Sequence, residues 1–322
     1  MAKNIGIDLG ASTALMYLSK NGRIIEEPAI LAVSEDGDDI LAAGSQANAL
    51  CGRIPGAAKI IYPFRSGTDP EHEYFSYFIR YMIKKAGLRG ISHPDLLLCI
   101  DGEVSEAQED AIFETVHRCG IRDIMVINKM TAIMSGVCAD MEPDEFYMLA
   151  DVGGAETCIL LIKDGSCIRT NRIKVGGDSL DASIAGYIAE KYGIRINFSE
   201  AERIKNSLGG VWKRDSVITD RVSGTNISDG LPNSAVVDSK EIFGAISSSV
   251  KRIAVGICDF IDELSDAEYS DIEKNGIMLS GGGSLLYGFR DFIEAVTEVP
   301  ASLAKDPVAS TAIGFKRLFE NM

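Results

Sequence analysis

The chain has 322 residues, 46% of them hydrophobic and 25% charged, enough for two domains or for one domain duplicated and diverged. Its 32 basic against 47 acidic residues leave a net charge of −15, which argues against sequence-independent nucleic-acid binding, because that needs a basic footprint. Seven cysteines, an odd number with no Cys-x-x-Cys pair, and three scattered histidines argue against disulfides and a zinc site and read as a reducing, cytoplasmic setting.

No apolar run reaches the roughly 20 residues a membrane-spanning helix needs. Residues 4–8 already read as a strand, so no signal peptide is expected. That strand, Ile5-Gly6-Ile7-Asp8-Leu9-Gly10, leads to the apolar run Leu15-Met16-Tyr17-Leu18 and the turn Asn21-Gly22. Residues 29–33 read as a third strand, closed by an acidic turn at 35–39. Short apolar pieces broken by Gly and Pro make 34–70 a small insert. A helix opens near Pro70, with Phe75, Phe78, Ile79, Met82 and Ile83 on one stripe. Leu96-Leu97-Leu98-Cys99-Ile100 reads as a strand covered on both faces. Ser105 and Gln108 form a capping box for a helix ending at Arg118, followed by a strand at 124–127 and a short helix at 131–138.

The second half repeats this plan. Met148-Leu149-Ala150-Asp151-Val152-Gly153-Gly154 precedes Cys158-Ile159-Leu160-Leu161-Ile162 and the turn Asp164-Gly165. From aspartate to turn the spacing is 13 residues in both copies, Asp8 to Asn21 and Asp151 to Asp164. Three strands fall between 146 and 174, and Gly176-Gly177-Asp178 leads into a helix. A polar, glycine-rich stretch at 209–238 reads as a second insert, and helical periodicity returns at 241–264. A strand at 276–280 is cut by Gly281-Gly282-Gly283 before a last helix from Tyr287. The alternation gives an α/β class with halves meeting near residue 145.

Asp8 and Asp151 end strands and stand before glycines. A carboxylate there can hold the water shell of Mg²⁺ on a polyphosphate, while loop amides donate to phosphate oxygens. Ser12, Thr13 and Thr157 add hydroxyls, and Gly281, Gly282 and Gly283 allow close backbone approach to a ligand. Either Asp-Gly turn alone reads as an ordinary turn; two at matched spacing with a third glycine loop favour nucleotide binding.

These stretches resemble the phosphate, connecting and adenosine motifs of the actin and heat-shock-chaperone ATPase superfamily, and within it the MreB-type bacterial actins. The likeness runs nearly end to end, through Glu26-Glu27-Pro28-Ala29, Gly52-Arg53-Ile54-Pro55-Gly56, Tyr77-Phe78-Ile79-Arg80 and Asp306-Pro307-Val308-Ala309. It implies an actin-like fold: duplicated domains at 1–145 (insert 34–70, with 305–322 returning to it) and 146–304 (insert 182–240), around an ATP cleft. It implies ATP and Mg²⁺ as cofactors, with Gly10, Gly153, Gly154 and Gly177 among the nucleotide contacts and Glu202 and Lys205 on the helix that meets the adenosine. It also implies polymerisation with other copies of the chain, peripheral attachment to the inner face of the cytoplasmic membrane, a role in cell shape, and cell-wall-synthesis membrane proteins as further partners.

The departures are local. Where the family has Ile-Glu-Glu-Pro, with a glutamate that positions the attacking water, this chain reads Ile127-Asn128-Lys129-Met130. Asn128 can orient a water but cannot take its proton, and Lys129 reverses the charge. Ala155-Glu156 stands in place of Gly-Thr, and Ala11 and Ala14 replace threonines, which points to weakened hydrolysis. Since the first strand begins at once, no amphipathic anchor helix is expected; the candidate membrane loop carries Leu88 and Ile91 beside Lys84, Lys85 and Arg89. Two other readings stay open: a non-hydrolysing scaffold of the same fold, and a small-molecule kinase, for which the inserts leave little room.

Overall fold

The computed structural model describes residues 4–50, 58–64, 72–87, 95–100, 106–137 and 141–322. They fall into two compact units, Met1–Asp140 with Ala309–Met322, and Met141–Val308.

In the first unit β1 (Ile5–Leu9), β2 (Thr13–Leu18) and β3 (Arg23–Pro28) form an antiparallel meander. A small sheet follows, from β4 (Leu31–Val33), β5 (Ile40–Ala43) and β6 (Lys59–Ile61), with α1 (Gly44–Leu50) beside it. The chain continues through α2 (His72–Lys85), β7 (Leu96–Ile100), α3 (Glu106–Arg118), β8 (Ile124–Asn128) and α4 (Lys129–Val137). β7 and β8 extend the main sheet in parallel, giving the order β3-β2-β1-β7-β8. Strand alternation sorts β7 between two cores. Leu96 and Leu98 join Phe78, Ile79, Met82, Ile112 and Val116 of α2 and α3. Leu97 and Cys99 join Ala132 of α4 and Phe315 on the other face.

The second unit repeats the topology. β9 (Phe146–Val152), β10 (Thr157–Lys163) and β11 (Ser166–Ile173) meander, α5 (Gly177–Tyr192) follows, and an insert holds β12 (Ile194–Arg195), α6 (Phe198–Leu208), β13 (Thr219–Asn226) and β14 (Pro232–Asp238). Then come α7 (Ser239–Asp262), α8 (Asp266–Asn275), β15 (Ile277–Ser280), a 3-10 turn at Gly282–Leu285, α9 (Phe289–Thr297) and β16 (Ala301–Leu303). The main sheet runs β11-β10-β9-β15-β16, position for position the order of the first. The register repeats too: Asp8 lies opposite Leu15 and Asp151 opposite Cys158, and each aspartate also has a parallel neighbour, Cys99 or Ser280.

Three boundaries differ from the sequence reading. Residues 29–33 are not the third strand of the main sheet: that place is taken by β3, whose ladder ends at Pro28, and β4 pairs in the small sheet. The helix expected at 131–138 starts at Lys129, because the Asn128 side-chain oxygen accepts the Met130 N–H at 2.8 Å and caps it. The second insert takes shape from Ile194, since α5 runs on to Tyr192 and ends on Gly193 in the left-handed region. Pro70, Ser105 and the 52–56 motif lie outside the described residues.

Two devices fasten the first unit. Glu27, buried on β3, accepts hydrogen bonds from the Ser45 N–H (2.7 Å), the Ser45 hydroxyl (2.9 Å) and the Tyr81 hydroxyl (2.8 Å), and pairs with the Lys85 ammonium. It thereby ties α1 and α2 to the main sheet. The C-terminal helix α10 (Ser310–Glu320) lies across α4 at two glycines: a Cβ on Gly314 would fall 1.8 Å from the Ala132 carbonyl oxygen, and one on Gly136 2.4 Å from that of Ser310. Arg317 then donates to the Ser135 and Gly136 carbonyls at 3.0 and 3.1 Å, satisfying the end of α4.

Because even a methyl must push backbone apart here, Gly314→Ala is expected to destabilise by about 1–3 kcal/mol, the usual cost of overpacking. Chemical denaturation checks this; a midpoint equal to the native one would show that the helices do not meet so closely.

Candidate functional site

In the first unit Asp8 is the last polar group of a central strand and is only 4% exposed. Burial of a carboxylate demands a compensating charge. The Lys129 ammonium supplies one, 3.9 Å from Asp8 Oδ2 on a side chain only 13% exposed. The turn that follows must be glycine at position 10, since a Cβ there would sit 2.7 Å from the Thr13 carbonyl oxygen. Ser12, half-buried like Thr13, accepts the Ala29 N–H on its carbonyl at 2.9 Å, which fixes the loop to the end of β3. Asn128, at the end of β8, is exposed, and its side-chain oxygen is engaged in capping α4. Its NH₂ group and the second lone pair of that oxygen can still orient a water, but neither can take up its proton.

In the second unit Asp151 is 5% exposed in the matching position. The Gly153 N–H donates to the Glu156 carbonyl at 3.0 Å and closes the turn. The start of α5 docks onto this loop: the N–H groups of Gly177 and Asp178 donate to the carbonyls of Gly153 (2.9 Å) and Gly154 (2.8 Å). A Cβ on Gly176 would lie 2.5 Å from both those oxygens, so this docking requires glycine. Thr157 was read as a ligand hydroxyl. It is instead fully buried and donates to the Val175 carbonyl at 2.8 Å, so it braces the loop from inside. Glu156 is neutralised by the guanidinium of Arg172, which stands opposite Cys158 on β11.

The third loop packs on the second. Gly281 has φ +78°, its N–H donates to the Pro307 carbonyl at 3.0 Å, and a Cβ on it would fall 2.3 Å from the Val152 carbonyl oxygen. Gly283 is likewise pressed on the Val152 side chain, whereas a Cβ on Gly282 would meet nothing within 4 Å. Gly281 and Gly283 thus serve packing, and Gly282 presents open backbone. On α6 Lys205 donates to Asp181 Oδ2 at 2.9 Å and to the Gly177 carbonyl at 3.4 Å, joining α6 to the first turns of α5. Glu202 is exposed on the same helix.

Asp181, buried on α5 three residues beyond Asp178, is a group that the sequence reading does not single out. Burial pushes its carboxyl up to about 6; Lys205 pulls it back down, while Glu202 and Asp178 add to the rise. Its Oδ1 is buried with no hydrogen-bond partner among the described residues.

Each unit by itself has features that suit a nucleotide phosphate: in the first a glycine-only turn after the buried Asp8, in the second the buried Asp151 and the open backbone at Gly282. They fit direct metal ligation less well, since no group of three His, Cys, Asp or Glu that could hold a metal ion occurs among the described residues. A buried carboxylate at a strand end, as each unit has, suits a hydrated ion carried by a nucleotide better than direct ligation. Leu88 and Ile91 lie outside the described residues, and no described helix is long and apolar enough to cross a membrane.

The profile of the MreB/Mbl protein family matches residues 2–322. The chain belongs to that family. It is 28% identical to the cell shape-determining protein Mbl of Bacillus subtilis (strain 168), over 100% of this chain and 97% of the relative. The crystal structure of MreB5 of Spiroplasma citri bound to AMPPNP superposes with a TM-score of 0.88 at 24% identity, covering 100% of this chain and 96% of that one. A MamK double helical filament gives a TM-score of 0.79 at 17% identity, covering 99% and 98%. The fold is therefore the actin-like one, and the matched sheets and registers are its duplicated halves.

The raised Asp181 carboxyl sets a pH dependence. Its folded pKa, about 6, lies above the ordinary 3.8, so the folded state holds the proton more tightly between those values. The stability this confers is present at low pH and is lost as pH rises through about 6. Asp181→Asn removes the titration. The difference in melting temperature, variant minus native, is expected to grow as pH is raised from about 4 to about 7. A difference independent of pH would show that Asp181 is not held buried and charged.

Proposed function

We propose that this chain is a nucleotide-dependent, actin-like filament protein of the cell-shape machinery. It binds ATP through its glycine loops, assembles with copies of itself, and works in the cytoplasm at the inner face of the membrane with Mg²⁺ accompanying the nucleotide. The observation that carries the reading is the twice-built strand, buried aspartate and glycine turn, in identical register, within a chain that the MreB/Mbl profile matches from residue 2 to 322. The AMPPNP-bound state of the MreB5 relative and the filament state of MamK support nucleotide binding and polymerisation. Cell-wall-synthesis membrane proteins are the partners this role calls for. When bound, the nucleotide supplies a γ-phosphate whose presence or loss distinguishes two states of the polymer.

Sedimentation with ATP and Mg²⁺ tests the filament reading. Concentration-dependent pelleting or visible filaments are expected; monomers at every concentration would count decisively against it. Hydrolysis is expected to be slow, since the Asn128 side chain offers no proton acceptor to an attacking water and its oxygen caps α4.

Asn128→Asp preserves the capping chemistry and adds a carboxylate. A well-placed general base contributes roughly 100-fold or more, so phosphate release should rise measurably. A native chain that hydrolyses at the same rate as this variant would remove Asn128 from the explanation.

A further inference from the structure

In the first unit the helices α2 and α3 leave a polar groove between them. It encloses about 250 Å³ and is lined by Glu73, Ser76 and Arg80 of α2 and by Thr115 and Arg118 of α3. Their spacing puts residues 73, 76 and 80 on one face of α2, and 115 and 118 on one face of α3. The floor is a hydroxyl pair: Ser76 and Thr115, both buried, meet at 2.7 Å. One turn further along each helix stand the guanidiniums of Arg80 and Arg118. Burial raises the Cys119 thiol and the charge of Arg80 lowers it again, in keeping with an Arg80 that reaches the end of α3. Glu73 lies one turn to the other side of Ser76, so roughly 10 Å of helix separates it from Arg80. The groove is therefore polarised, with a carboxylate at one end, hydroxyls in the middle and two cations at the other.

Arg118 gives one donor to the Glu114 carboxylate, while Arg80 and Glu73 enter no ion pair among the described residues. Charges on a solvated helix face are commonplace. A cavity floored by buried hydroxyls between them adds polar groups that a small ligand can reach away from bulk water. A guanidinium presents paired N–H donors to phosphate oxygens, and a carboxylate accepts from an ammonium. Phosphate alone would meet the repulsion of Glu73, and a simple cation that of the two arginines. We propose that this groove binds a phosphate ester with an ammonium group a few atoms away, the ethanolamine-phosphate class, either free or as a phospholipid headgroup. The site lies wholly within α2 and α3 and is independent of the nucleotide reading. In its lipid form it specifies the membrane reading above; in its soluble form it stands without it.

The test titrates the full chain with phosphoethanolamine and with inorganic phosphate, followed by ³¹P NMR, for the native protein, Arg80→Gln and Glu73→Gln. Both substituted side chains are exposed, and circular dichroism confirms that each variant is folded. The native chain is expected to prefer phosphoethanolamine over phosphate by about threefold or more. Arg80→Gln should lose roughly tenfold for both ligands, the scale of one charge-assisted hydrogen bond, and Glu73→Gln should abolish the preference. Flotation with vesicles of mixed phosphatidylethanolamine and phosphatidylcholine, against phosphatidylcholine alone, identifies the source. Flotation that needs both phosphatidylethanolamine and Arg80 assigns the headgroup. Soluble binding without such flotation assigns the free compound and leaves the membrane reading to be judged by itself. The proposal is overturned if neither form binds, if inorganic phosphate binds as tightly, if the preference survives Glu73→Gln, or if Arg80→Gln binds as the native chain does.

Discussion

A carboxylate cannot be buried at the end of a central strand unless something positive or hydrogen-bonding meets it, and most of the local structure around these loops answers that demand. Asp8 and Asp151 are placed by strands flanked on both sides, β1 between β2 and β7, β9 between β10 and β15. Burial follows from that position, and the cost of burial follows from the charge. The same solution recurs across the chain, in each case with a cation from a different element. Lys129 on α4 meets Asp8, Lys85 on α2 meets Glu27, Lys205 on α6 meets Asp181, and Arg172 on β11 meets Glu156. Each pair also pins two elements together, so charge compensation and tertiary register are one constraint.

The second constraint is backbone proximity. Gly176 can only be glycine because two loop carbonyls lie where its Cβ would be, and Gly281 because the Val152 carbonyl does. These glycines look like ligand-binding residues in a sequence, yet they act by letting protein backbone meet protein backbone. Gly282, with nothing near it, is the one whose bareness remains for a ligand. Glycine loops of this kind therefore divide into positions that build the turn and positions that present it. The division follows from distances alone.

Much of this was legible in the sequence because it rests on local periodicity. The paired Asp-x-Gly turns, the apolar run of β7 and the α2 stripe are patterns of one strand or one helix, and the repeated spacing revealed the duplication. What escaped was set by contacts distant in sequence. Nothing near Thr157 announces that its hydroxyl turns inward to Val175. Nothing near Asp181 announces Lys205, 24 residues away. The strand read at 29–33 is present as β4, but it is the fourth and not the third, because the half-polar β3 before it shows no apolar run, and an apolar run does not state which sheet receives it. The capping boxes were the counterexample: Ser265 with Glu268 marks the start of α8 in plain sequence, and α8 went unread all the same.

The drift around the two aspartates has a direction. Asn128 is a neutral amide that caps its own helix, and Lys129 sets a positive charge 3.9 Å from Asp8. An interaction made equally with bound nucleotide and with the transition state strengthens binding and leaves the chemical step where it was. An amide in place of a base acts against turnover and not against occupancy. For the filament proposed above, slow loss of the γ-phosphate would make assembly depend on nucleotide binding more than on hydrolysis.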